Sequence, residues 1–70
     1  MTIKKFKMMW NENEQIVKTV IMKNDNILYA TDYKINDYGI LSLYGYEWKI
    51  GLFMLSDVKE IKGELKNDNH

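Results

Sequence analysis

The sequence predicts an all-β fold: a small antiparallel barrel, or a strongly curved sheet, of five or six strands. Three observations predict it. Short runs of alternating apolar and polar residues fill most of the chain, and a period of two marks a half-buried strand. Clusters of Asn, Asp and Gly separate these runs, as tight turns require. The connections are only a few residues long, which leaves no room for the crossover helix that parallel strands need.

The elements follow in order. Ile3 to Trp10 is read as the first strand, with Phe6, Met8 and Trp10 on one face and Lys5 and Lys7 on the other. Asn11–Glu14 is a polar turn. Gln15 to Lys23 is the second strand, rich in β-branched residues that fit a pleated surface. Asn24-Asp25-Asn26 turns the chain, because Asn and Asp tolerate left-handed backbone and bond their own main chain. Ile27 to Ile35 is the third strand, alternating Ile27, Tyr29, Thr31, Tyr33 and Ile35 with Leu28, Ala30, Asp32 and Lys34. Asn36-Asp37-Tyr38-Gly39 reverses it, with Gly39 free to take positive φ. Ile40 to Tyr44 is a short fourth strand. Glu47 to Leu55, apolar on both faces except at Lys49, is read as a central fifth strand, and Gly51 within it marks a bulge or bend.

The last segment allows two readings. Val58, Ile61 and Leu65 have helical spacing behind a Ser56 cap, but Gly63 would cost such a helix ~1 kcal/mol. The preferred reading is a single 3₁₀ turn at Ser56–Val58, within a broader Ser56–Glu60 span, and then a closing strand over Lys59–Glu64. Residues 1–65 form one domain, and 66–70 are expected to be a disordered tail with nothing to pack against.

The stretch Phe53-Met54-Leu55-Ser56-Asp57-Val58-Lys59-Glu60-Ile61 is similar to the closing segment of small SH3-like and Sm-like barrels, where an apolar strand meets a one-turn 3₁₀ segment and a final strand. The YolD-like proteins of low-GC Gram-positive bacteria and their phages end in a comparable way, although their N-terminal helical portion has no counterpart in this reading. The resemblance covers about a dozen residues and implies a barrel; no functional residue is carried over from it. In size and composition the chain also resembles the short accessory proteins of phages and mobile elements in A/T-rich Firmicutes. Some of those inhibit host or defence proteins.

Composition narrows the function. The chain has 70 residues, ten lysines and no arginine, ten acidic residues, no cysteine and no proline, and its one histidine is the last residue. A domain of this size buries only ~60% of the surface its unfolded chain exposes. Small scaffolds make up the deficit with disulfides, a metal, dense packing or a partner subunit. Without cysteine or a histidine cluster, the first two are closed. The N-terminus has charge without an apolar segment behind it, and Leu52-Phe53-Met54-Leu55 is far short of the ~20 residues of a membrane helix. The expectation is a cytoplasmic protein with no membrane contact. Zero net charge and the absence of arginine argue against a dedicated polyanion binder. A/T-rich codons suffice to explain why Ile, Lys, Asn, Tyr, Met and Phe make up more than half of the chain.

No catalytic constellation is visible. Ser42 and Ser56 lack a histidine partner, because His70 sits at the chain end. Asp25, Asp32, Asp37 and Asp57 are scattered through turns, and Asn24-Asp25-Asn26 lacks the glycine and distal glutamate of a calcium loop. Glu12 and Glu14 are explained by a polar turn, and the four glycines are isolated, so no phosphate cradle exists. No cofactor, no metal and no enzyme activity are expected.

What stands out is the apolar inventory, 46% of a short chain. Tyr44-Gly45-Tyr46-Glu47-Trp48 places three aromatics in a turn, and Tyr and Trp are favoured at interface hot spots. Methionines add adaptable contact area. The leading expectation is therefore a non-enzymatic protein-interaction module, an inhibitor or adaptor of a host or defence protein, whose contact residues are Tyr38, Tyr44, Tyr46, Trp48, Lys49 and Met9. The plain alternative is that these rings are core. A second function is single-stranded nucleic-acid binding, with Lys5, Lys7 and Lys18 beside surface aromatics. A third is a homo-oligomer whose assembly completes the core, with exposed strand edges able to pair.

Overall fold

A computed structural model describes residues 1–62. The elements run α1 (Ile3–Glu12), β1 (Lys18–Met22), β2 (Ile27–Ala30), β3 (Asp32–Ile35), β4 (Ile40–Tyr44), β5 (Lys49–Met54), a 3₁₀ turn (Leu55–Asp57) and β6 (Val58–Lys62). The predicted tail at 66–70, and His70 with it, lies outside the described residues.

The first segment is a helix and not the predicted strand. Phe6 and Trp10 are four residues apart, a spacing that satisfies both a period of two and a helical turn. Met8 separates the two readings: a strand would bury it with Phe6 and Trp10, whereas here it is exposed and Ile3 and Met9 pack instead. Thr2 starts the helix. Its hydroxyl accepts from Lys5 N–H at 3.1 Å and its carbonyl accepts from Phe6 N–H at 3.0 Å. Lysine and methionine, half of the segment, are good helix formers.

The strands form two separate three-stranded antiparallel sheets, ordered β2-β1-β6 and β3-β4-β5. This overturns the predicted five- or six-stranded barrel. The cause lies at Thr31, which breaks the third run in two. Its first half pairs with β1, from Lys18↔Ala30 to Ile21↔Ile27, and its second half pairs with β4, from Asp32↔Tyr44 to Ile35↔Leu41. Alternation continues through the break and so hides it. At the other end β6 turns back onto β1, from Thr19↔Lys62 to Met22↔Val58. Among the described residues no ladder joins β5 to β6, so the sheets do not close.

Other expectations fare differently. The 3₁₀ turn and closing strand are found, with the turn at Leu55–Asp57 and the strand at Val58–Lys62. Gly39 takes φ +77° and Asp25 takes φ +69°, each in a predicted turn. Asn36 organises the first of these, its Oδ1 accepting from Tyr38 N–H at 2.9 Å and Ile40 N–H at 3.0 Å. The fifth run is not central. It is an edge strand, and β4 occupies the middle of its sheet. Its bulge falls next to Gly51: Leu43 faces Gly51 and Tyr44 faces Lys49, leaving Ile50 as the extra residue.

The core lies between the sheets and under the helix. Phe6 and Trp10 meet Val20, Met22, Leu41, Leu43, Leu55, Val58 and Ile61, with Tyr33, Ile50 and Phe53 packed around them. Tyr33 sets its ring against Phe6 edge-on at 4.9 Å and against Trp10 at 4.7 Å. Burial, and then the Asp32 carboxylate beside it, raise the Tyr33 hydroxyl above its ordinary pKa of 10.0. No helix among the described residues is long and apolar enough to cross a membrane.

Candidate protein-binding surface

The hairpin of β4 and β5 builds the candidate surface. Leu41 and Leu43 point into the core, so Ile40, Ser42 and Tyr44 face the other way by alternation. Tyr44 is fixed through its backbone: its carbonyl accepts from Thr31 N–H at 2.8 Å and from Thr31 Oγ1 at 3.3 Å. Its ring lies between two ammonium groups, Lys34 Nζ and Lys49 Nζ, each 5.8 Å from the ring centroid. Gly45 N–H then donates to Trp48 carbonyl at 2.9 Å and closes the tip.

From this tip Tyr46 and Trp48 project into solvent, 75% and 67% exposed. The structure therefore brings together Tyr44, Tyr46, Trp48 and Lys49. It does not bring the other two predicted contacts to them. Tyr38 is 85% exposed, but it sits in the turn between β3 and β4, at the far end of the sheet. The five residues of β4 separate it from Tyr46 by roughly 15 Å at ~3.3 Å per residue. Met9 is half-buried on α1, beside Glu12, Asn13, Ile61 and Lys62.

The lysines predicted for nucleic acid also divide. Lys5 and Lys7 are exposed on α1. Lys18 is buried: its Nζ donates to the Gln15 carbonyl and lies over the Trp10 ring, 5.3 Å from its centroid. That ammonium is committed inside the molecule. Trp10 is thus a core residue and Trp48 is not.

Two contributors lie outside the six predicted contact residues, although Met54 is among the methionines read as adaptable contact area. Leu52 and Met54 are 60% and 48% exposed, and the ladder sets them opposite Ser42 and Ile40 on the outer face of the same sheet. Reading the fifth run as central hid Leu52. A signal was present in β3, where Asp32 and Lys34 alternate with Tyr33 and Ile35. A strand with one charged face belongs to a sheet with one solvated face.

The surface is mixed in charge, with Lys34 and Lys49 against Asp32 and Glu47. Among the described residues, no three His, Cys, Asp or Glu side chains come together in a group able to hold a metal. No protein-family model, curated protein or solved structure matches this chain.

Proposed function

We propose that this chain is a non-enzymatic protein-interaction module and that the β4–β5 hairpin tip, with the adjoining outer face of its sheet, is the contact surface. The observation that carries this is the exposure of Tyr46 and Trp48 on a tip whose backbone is tied at Gly45–Trp48 and Thr31–Tyr44. Large aromatics held on a rigid frame bring contact area at little entropic cost, which is the usual make-up of a hot spot. Leu52 and Met54 extend the apolar area, and the lysines flanking Tyr44 supply a polar rim. The role proposed for it is that of an inhibitor or adaptor of a host or defence protein.

The test is comparative capture. Tagged chain and its Tyr46→Ala/Trp48→Ala variant are used to capture proteins from the same host lysate, with circular dichroism to check that both fold. The expected result is a partner retained by the parent chain and by a Tyr38→Ala control, and lost from the tip variant. Equal retention by all three would remove the tip from the contact surface.

One observation favours a second reading. Tyr44 between Lys34 and Lys49, with Trp48 beside them, could stack a base and screen a phosphate. Fluorescence anisotropy with an oligo-dT or oligo-U probe at low salt tests it, and no change in anisotropy would end this reading.

A further inference from the structure

The outer face of the β3-β4-β5 sheet gathers two positive charges at one ring. Lys34 on β3, Tyr44 on β4 and Lys49 on β5 come from three different strands, and each ammonium stands 5.8 Å from the Tyr44 ring centroid. The bulge in β5 puts Lys49 there. Leu52 pairs with Ser42 on the outer face, so unbroken alternation would turn Ile50 outward and Lys49 towards the core. The extra residue reverses the phase. Ile50 packs against the core, and Lys49 comes out opposite Tyr44. Bulges are found where a strand has to re-aim a functional side chain.

These two ammoniums have no counter-ion among the described residues, whose ion pairs are Lys59–Asp25 and Lys62–Glu60. Asp32, opposite Tyr44 in the ladder, accepts instead from Tyr33 N–H at 2.8 Å. Lys34 and Lys49 are both exposed. Two like charges drawn to one ring repel each other. An incoming anion relieves that repulsion and accepts a charge-assisted hydrogen bond from each.

The surroundings choose the anion. Asp32 beside Tyr44 and Glu47 two residues before Lys49 confine the positive field to the ring, and a run of phosphates would meet both carboxylates. With no arginine in the chain, no planar fork is available for a phosphate dianion. A single carboxylate suits two ammoniums. The next row of the same face holds Leu52, 60% exposed. Such rows repeat every ~7 Å, which is also the same-side repeat of an extended chain.

Resting on the protein-interaction reading of this sheet, we propose that the partner contributes an extended acidic and apolar segment. Its Asp or Glu carboxylate is held by Lys34 and Lys49 beside Tyr44, and the side chain two residues on packs on Leu52.

The probe is a short peptide with blocked ends that carries Glu-Ser-Leu, set against the same peptide with Gln-Ser-Leu. Binding is followed by the amide chemical shifts of the isotope-labelled full chain. The Glu peptide should shift Lys34, Tyr44, Lys49 and Leu52 and bind roughly fivefold more tightly than the Gln peptide, with the difference shrinking as salt is added. Lys34→Gln/Lys49→Gln should bind the two peptides alike with an unchanged circular dichroism spectrum, and Lys34→Arg/Lys49→Arg should restore the preference for Glu. Equal binding of the two peptides by the parent chain, or binding of neither, overturns the proposal. Larger shifts of the same amides with oligo-dT at equal concentration overturn it as well. Tyr46→Ala/Trp48→Ala leaves both lysines in place and should keep the preference for Glu. A captured partner that is lost from this tip variant but held fully by Lys34→Gln/Lys49→Gln would overturn the carboxylate site and leave the hairpin-tip reading standing.

Discussion

Lys18 and Lys49 both place an ammonium near an aromatic ring, yet the two do different work. Lys18 is buried, holds the Gln15 carbonyl and covers Trp10, so its apolar stem is part of the core wall. Lys49 is exposed and only borders Tyr44. Urea unfolding should therefore show Lys18→Ala losing about 1–2 kcal/mol, from a lost hydrogen bond, ring contact and stem packing. Lys49→Ala and Lys5→Ala should stay within ~0.5 kcal/mol of the parent. An unchanged Lys18→Ala would mean that its ammonium is not committed. The sequence held a hint of this, because alternation places Lys18 on the same face as Val20 and Met22. Charge alone drew it into the nucleic-acid group. Tyr46 and Trp48 were legible as contact candidates from three aromatics in one turn, but their exposure was open between surface and core until the fold placed them. Leu52 was not legible, because an apolar edge strand and an apolar central strand read alike.

At the scale of elements, the turns and most strands could be read from short-range chemistry. Asn36 and Gly39 set one hairpin, Asn24 to Asn26 set another, and the 3₁₀ turn before β6, read at Ser56–Val58, lies one residue earlier at Leu55–Asp57. The helix was misread because Phe6 and Trp10 share a spacing common to both periods. Met8 offers the deciding test. On a helix it points to solvent, and Met8→Lys should change stability by no more than ~0.5 kcal/mol in a thermal melt. On the strand first expected it would share the core face, and the same change would be severely destabilising. Trp10→Ala should cost about 3–5 kcal/mol, enough to unfold much of a domain with so small a reserve. A large loss from Met8→Lys would argue for the strand.

At the scale of the whole molecule, closure was the part that local pattern could not encode. Whether β5 pairs with β6 is a long-range choice, and the break at Thr31 together with the return of β6 to β1 decides it against a barrel. The consequence is an apolar inventory divided between an interior around Phe6, Leu41 and Leu43 and an exterior of Tyr46, Trp48, Leu52 and Met54. The central claim is that this exterior set is presented to solvent for a partner. The two tryptophans report on the division directly, since Trp10 marks the inside and Trp48 the outside. Iodide quenching of the tryptophan fluorescence is the measurement that tests it. Two populations are expected, one quenched freely and one shielded, with the quenchable one absent from Trp48→Phe and protected when the captured partner is added. A single shielded population in the isolated protein would contradict the claim.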